Sequence, residues 1–280
     1  MTRLPNLFII GTQKGGSTSF HRHLAGHPDI GSFREKEINL LLDGIDVEKR
    51  LHELGPPQGG DRYLLDGSIN YTRYPRHGGV PARIVEHVGR ETPRFIYTLR
   101  NPVDRLISQY HWNAQRYGAP RDLMQAVATD DTYVATGQYD LQMQQYLKHF
   151  SLDQFHFVRF ETFRADPQAE VDSALDWLGL PPMTINTEVR LASTSAKTTR
   201  AQRFPRLHAF LAGTPALRRP LQKLLSDRTL RRLNSVMSTE VERAPVSRET
   251  RHALLERYFL DSIDRTEALL GLDLSDWKTV

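Results

Sequence analysis

The chain has no cysteine in its 280 residues, which removes disulfides, zinc ribbons, iron–sulfur clusters and thiol nucleophiles together. That composition suits a reducing compartment, and a cytoplasmic setting is expected. Long apolar runs are missing too. The longest, Leu7 to Ile10 and Leu40 to Leu42, fall far short of the roughly 18 residues a membrane-spanning helix needs. A secretory leader is not expected either, because Pro5 follows closely on Arg3 and the next apolar stretch breaks at Gly11. Internal repeats and low-complexity tracts are absent. What is there is ordinary for a globular protein, 39% hydrophobic and 25% charged, and argues against disorder. The length allows one large domain. A formal charge of +4 suits anionic ligands without naming one.

Apolar, β-prone runs alternate with helical patterns along the chain, which predicts an α/β fold with a mostly parallel central sheet and helices on both faces. Strands are expected at Asn6 to Ile10, Arg62 to Leu65, Arg94 to Leu99 and Phe155 to Phe160. Helices are expected at Ser17 to Gly26, Gly79 to Val88, Pro102 to Tyr117, Tyr139 to Phe150, Pro167 to Gly179 and Arg248 to Gly271. Gly55 to Asp61 reads as a loop within this alternation, so a single domain over residues 1–280 is expected. The stretch Arg200 to Arg232 stands apart, with nine basic residues against one acid and three prolines that break it into short helices. It reads either as a solvated basic face or, over residues 200–245, as a cap on the acceptor side or a membrane-surface element.

The first strand runs straight into Gly11-Thr12-Gln13-Lys14-Gly15-Gly16-Ser17-Thr18-Ser19 and then a helix. Strand, glycine-rich turn and helix N-terminus together cradle phosphate, because backbone N–H groups converge there and the helix dipole favours an anion. A nucleoside-triphosphatase loop would read G-x-x-x-x-G-K-[ST]. Here Gly11 and Gly16 keep the spacing, but Ser17 stands where that lysine belongs and the lysine is at position 14. A second landmark follows Phe95 to Leu99, where Arg100-Asn101-Pro102 opens a helix carrying Arg105 and Ser108. An arginine at a strand's carboxyl end lies where ligands bind in open α/β sheets, and its planar guanidinium suits a terminal phosphate.

These two elements resemble the phosphosulfate loop and the 3′-phosphate element of sulfotransferases that use 3′-phosphoadenosine 5′-phosphosulfate (PAPS). The G-x-x-K-x-G-[ST]-[ST] form is most similar to the Golgi carbohydrate-type enzymes and their bacterial relatives. Weaker similarities lie at Gly137-Gln138-Tyr139, at Phe157 to Leu180 and at Leu269 to Trp277, so the resemblance spans nearly the whole chain. It implies sulfuryl transfer from PAPS, with 3′-phosphoadenosine 5′-phosphate (PAP) as product, to a hydroxyl or amine of a small-molecule, glycan or glycolipid acceptor. No metal and no nucleic-acid partner are implied, and the oligomeric state is open.

The resemblance assigns roles residue by residue. Lys14 would stabilise the bridging oxygen, and Gly11, Thr12, Gln13, Gly15, Gly16, Ser17, Thr18 and Ser19 would form the 5′-phosphate cradle. Arg100 and Ser108 would hold the 3′-phosphate, and the late loop Ser193 to Arg200, with Lys197, Thr198, Thr199 and Arg200, would close over it. Lys36-Glu37-Ile38-Asn39 resembles the segment whose glutamate is the catalytic base, which points to Glu37, with Asn39 on the acceptor side. Composition alone reads Arg34-Glu35-Lys36-Glu37 as a solvated charge cluster. His21, His23, His27 and His111 compete for the base; His111 is the strongest of them, while His21 and His23 are expected on the surface of the first helix. Asp66-Gly67-Ser68-Ile69-Asn70-Tyr71 resembles an acceptor-side K-S-P-N-Y segment in which Gly67 replaces the lysine, and Ser68 and Asn70 carry over. Two other readings stay open. One is a small-molecule kinase with Asp66 on magnesium. The other is a basic protein binding anionic surfaces through Arg200 to Arg232, with strong salt dependence.

Overall fold

The computed structural model describes residues 3–117, 122–186, 198–202, 238–242 and 245–279, with the backbone alone described over 115–117, 198–202 and 238–242. The chain divides into two compact units, one of Met1–Arg105, Val134–Ala192 and Arg248–Val280, the other of Leu106–Tyr133 and Ser193–Ser247.

The first unit is an α/β domain built on a six-stranded sheet. Its strands are β1 (Leu7–Gly11), β2 (Ile30–Ser32), β3 (Gln58–Gly59), β4 (Tyr63–Asp66), β5 (Arg94–Leu99) and β6 (Phe155–Arg159), in the order β3-β2-β4-β1-β5-β6. All neighbours pair in parallel except β2 and β3. Every residue of β1 is buried, as expected of a central parallel strand covered on both faces. Leu7 and Ile9 join Phe20, Leu24, Ile96, Phe163, Val171 and Leu175 in one core layer. On the opposite face Phe8 stacks on Phe95, which contacts Tyr146, Phe150 and Phe155. Burial on this scale contributes roughly 1.5–3 kcal/mol for each large apolar side chain.

The helices that follow Gly16 and open at Pro102 start where the sequence predicts, whereas the helix over 47–54 is not among those expected. Helix α1 (Ser17–Leu24) opens after Gly16, whose φ of 90° is the left-handed conformation glycine adopts freely. Helix α2 is Val47–Leu54 and α3 is Val80–Val88. Helix α4 (Pro102–Tyr117) has proline in its first turn, and Asn101 Oδ1 accepts from the N–H groups of Val103 and Asp104 at 3.1 and 3.2 Å. In the second unit lie α5 (Leu123–Thr129), the first half of the short α6 (Thr132–Ala135), and an antiparallel pair of β7 (Thr198–Gln202) with β8 (Ser238–Glu242). The first unit continues with α7 (Tyr139–Tyr146), α8 (Phe160–Ala165) and α9 (Pro167–Trp177), the last capped by Asp166.

Several boundaries differ from expectation. The glycine-rich stretch Gly55 to Asp61 contains β3, because Gly60 lets the backbones close up; a Cβ there would stand 2.2 Å from the Asp29 carbonyl carbon. The C-terminal helix is interrupted: α10 (Arg248–Leu254) passes through a π-helical turn, Leu255–Phe259, into α11 (Leu260–Leu270). Of the basic stretch, residues 200–202 form strand and not helix, and residues 203–237 lie outside the described ones. Among the described residues no helix is long and apolar enough to cross a membrane.

Candidate active site

The loop after β1 is held in place by threonines on both neighbouring segments. Thr98 Oγ1, on β5, donates to the Gly11 carbonyl at 2.7 Å and accepts the Thr12 N–H at 3.0 Å. Thr72 Oγ1, in the 3-10 turn Ile69–Thr72, donates to the Ile10 carbonyl at 2.7 Å. The loop is packed too closely for side chains at its glycines. A Cβ on Gly15 would meet Thr12 Cγ2 at 2.4 Å, and one on Gly16 would meet the Phe160 ring at 2.8 Å. Lys14 sits between these turns with φ 71°, a conformation that costs a non-glycine residue roughly 1–2 kcal/mol. Ser17 and Ser19 are buried and Thr18 is exposed at the start of α1, where the first N–H groups have no acceptor within the helix.

Arg100 closes the loop from the β5 side. Its Nη1 donates to the Lys14 carbonyl at 3.0 Å, and its guanidinium lies 4.6 Å over the Phe160 ring that packs on Gly16. Burial pulls its pKa down, while Asp104, Glu161 and Tyr139 oppose that shift. Arg100 Nε and Gln13 Oε1 are buried without a hydrogen-bond partner among the described residues. Buried polar atoms seldom stay unpaired, and these two lie in the loop after β1 and just past β5.

The segment after β2 brings a carboxylate to this loop. Lys36 Nζ donates to Ser17 Oγ and to Glu37 Oε1, each at 3.3 Å. The charge cluster read from the sequence is thus divided in two. Arg34 and Glu35 are exposed, Glu35 pairing with Arg50 at 2.6 Å, whereas Lys36 turns inward and holds Glu37. Asn39, with φ 51°, donates from Nδ2 to the Glu37 carbonyl at 3.2 Å, and Asn70 Nδ2 donates to Asn39 Oδ1 at 3.0 Å. Arg73 Nη1 completes the chain with a 3.1 Å bond to Asn70 Oδ1. The sequence offers Lys36 as the neighbour that would hold Glu37 ionised, and the structure pairs the two; it gives Arg73 no role, and no spacing signal marks that residue.

Behind this segment lies a buried hub at Asp66. Its carboxylate accepts from the Ser68 hydroxyl and, at 2.7 Å, from Tyr71 OH; Ser68 Oγ in turn accepts the Asn39 N–H at 2.8 Å, and Tyr71 OH the Leu41 N–H at 3.0 Å. Burial raises the Asp66 pKa to about 6 against the opposing hydrogen bonds. Ser68, expected to face an acceptor, is fully buried; its hydroxyl anchors the loop that carries Glu37 and Asn39. Asn70 and Asn39 are half-buried beside that loop.

The histidines separate clearly. His21 and His23 are among the buried residues of α1 and not on the helix surface. His21 is lowered to about 4 by burial, with Lys36 and Arg22 adding to the effect, so it is neutral at pH 7. His23 packs edge-on to Phe163 and is lowered by burial. His27 accepts the Asp29 N–H on Nδ1 and meets the Pro181 carbonyl through Nε2 at 3.1 Å. His111 lies beside Tyr110, and with Ser108 it falls on the part of α4 that belongs to the second unit. Lys197 lies outside the described residues. Thr198, Thr199 and Arg200, expected in a closing loop, form strand β7, in keeping with the strand preference of β-branched residues. Among the described residues no group of three or more metal-ligating side chains comes together.

Comparison with known proteins identifies the family and the fold. A family model described as "Sulfotransferase domain" matches residues 4–210. The chain is 30% identical over 193 residues to the heparan sulfate glucosamine 3-O-sulfotransferase 6 of Homo sapiens, covering 64% of this chain and 53% of that protein. It is 26% identical over 219 residues to a bifunctional heparan sulfate N-deacetylase/N-sulfotransferase 1 of Caenorhabditis briggsae, covering 68% of this chain and 24% of that protein. The chain therefore spans about half or less of the length of these relatives. The crystal structure of a sulfotransferase from Alicyclobacillus acidocaldarius superimposes with a TM-score of 0.70 at 22% identity, over 99% of this chain and 100% of that one, and shares its fold.

Proposed function

We propose, for a chain that belongs to the sulfotransferase domain family, that it moves a sulfuryl group from PAPS to a hydroxyl or amine and releases PAP. The observation that carries this reading is the short path from anion cradle to carboxylate. Ser17, at the start of α1, and Glu37 are joined by the ammonium of Lys36. A phosphosulfate on the loop and a base for the incoming nucleophile are the parts that in-line transfer requires. The unpaired Arg100 Nε and Gln13 Oε1 supply donor and acceptor capacity for the nucleotide.

Each residue then has a distinct task. The loop Gly11 to Ser19 binds the 5′-phosphate through backbone N–H groups and hydroxyls, and Arg100 binds the 3′-phosphate. Lys14 stabilises the charge that develops on the leaving oxygen. Glu37 takes the proton of the acceptor, a role that contributes typically 10²- to 10⁴-fold. Asn39 and Asn70 orient the acceptor next to it. The curated relatives are named for heparan sulfate glucosamine, which supports a glycan hydroxyl or amine as acceptor class. The kinase reading loses its main support, since Asp66 is fully buried and engages Ser68 and Tyr71 with both carboxylate oxygens.

Thermal denaturation with PAP and with ATP, each with and without magnesium, tests the donor. PAP is expected to raise the melting temperature without magnesium. Stabilisation by ATP with magnesium and none by PAP would overturn the reading.

A further inference from the structure

Lys36 touches both halves of the site, and the fold has made room for it. Its carbonyl accepts the Gly67 N–H at 3.1 Å, and its stem lies over Gly67. A Cβ at position 67 would come within 3.0 Å of Lys36 Cγ, 3.3 Å of Lys36 Cε and 2.6 Å of His21 Cδ2. A side chain at 67 would therefore clash with His21 and press on the Lys36 stem, which would have to give by a few tenths of an ångström. The Lys36 side chain keeps 17% of its surface exposed, so the ammonium stands at the edge of the site and is not sealed inside it. Burial lowers its pKa, and Glu37 and then Asp66 draw it back up. The adjacent imidazole of His21, lowered to about 4, brings no competing charge at pH 7. The carboxylates that face the ammonium are thus Glu37 and Asp66, and the one it touches is Glu37.

Resting on the sulfuryl-transfer reading, we propose that Lys36 is a catalytic residue that contacts the sulfuryl group in transit between the loop and the acceptor. In the transfer step the acceptor oxygen bonds to sulfur as the bond from sulfur to the 5′-phosphate oxygen breaks. The electron pair of that bond stays on the phosphate oxygen, and the acceptor proton passes to Glu37. The sulfuryl oxygens carry negative charge throughout, and a cation between Ser17 and Glu37 lies along their path. Lys14 and Lys36 then divide the work, one at the leaving oxygen and one at the migrating group.

PAPS and PAP differ by the sulfuryl group alone, so their affinities isolate the claim without an acceptor. Calorimetric titration of the wild type, Lys36→Met and Gly67→Ala with each nucleotide makes the test. Lys36→Met is expected to weaken PAPS about tenfold or more and PAP by less than about threefold. Gly67→Ala keeps the charge while pushing on His21 first and on the Lys36 stem next, so the same selective loss is expected in smaller measure, and it decides the matter if Lys36→Met does not fold. Equal losses for both nucleotides, or no loss for either, would overturn the role of Lys36. A wild type that binds neither nucleotide would instead overturn the sulfuryl-transfer reading itself.

Discussion

Arg100 and Lys14 are joined by a single hydrogen bond, from Arg100 Nη1 to the Lys14 carbonyl at 3.0 Å. Two residues assigned to opposite ends of one nucleotide are thereby fixed against each other before any nucleotide arrives. Preorganisation of this kind is what makes electrostatic stabilisation effective.

Replacing Arg100 by alanine should accordingly weaken PAP by roughly 10- to 100-fold, the worth of a charged hydrogen-bonded contact. Adenosine 5′-phosphosulfate, which lacks the 3′-phosphate, should lose much less. Parallel titrations of the two nucleotides check this, and equal losses would make Arg100 a scaffold for Lys14 alone.

Lys14→Ala should leave PAP binding largely in place and cut turnover by orders of magnitude, because the charge it answers develops on the leaving oxygen during transfer. Steady-state rates with PAPS beside PAP affinities read the difference. A variant with near-normal turnover would remove Lys14 from the chemistry.

Ser68→Ala removes the hydroxyl that ties the Asn39 N–H to Asp66. The consequence should reach Glu37 through the loop, with turnover falling about tenfold while PAP affinity stays put. A loss confined to PAP affinity would show that this hub serves the nucleotide and not the base.

Asp66 gives a pH signature. Its folded pKa, about 6, lies above the ordinary 3.8, so the folded state holds this proton where the unfolded state has already released it. Stability from this group is full below about pH 4 and is lost as pH rises through about 6. The loss amounts to about 3 kcal/mol. Urea denaturation across that range should show the advantage of wild type over Asp66→Asn shrinking as pH rises. An advantage that grows with pH would contradict the assignment.

Much of the frame is legible in the chain itself. The β5 and α4 boundaries, Arg94–Leu99 and Pro102–Tyr117, coincide with the expected ones because Asn101 and Pro102 mark a helix start in local chemistry. The glycine loop is equally plain, since close packing at Gly15 and Gly16 demands glycine. Burial is harder to read. His21 looks like a surface residue in a helix carrying Arg22 and Thr18, and only the packed sheet reveals it as an interior imidazole. Lys36 and Glu37 look like a solvated pair, and the inward turn of Lys36 depends on a glycine distant in sequence, Gly67. The short β2 and β3 strands are set by paired glycines and backbone approach, which leave no hydrophobic period to detect.

The central claim is that sulfuryl transfer here uses Glu37 as the base, and Glu37→Gln tests it most directly. The amide keeps the shape and can still accept a hydrogen bond from Lys36, yet it cannot take a proton at neutral pH. PAP affinity and PAPS turnover are measured side by side on wild type, Glu37→Gln, His21→Ala and His111→Ala. Glu37→Gln should bind PAP like the wild type and lose roughly 10²- to 10⁴-fold in turnover, with His111→Ala close to normal. If Glu37→Gln keeps most of its activity while His21→Ala or His111→Ala abolishes it, the proton goes to a histidine and the account is wrong at its centre.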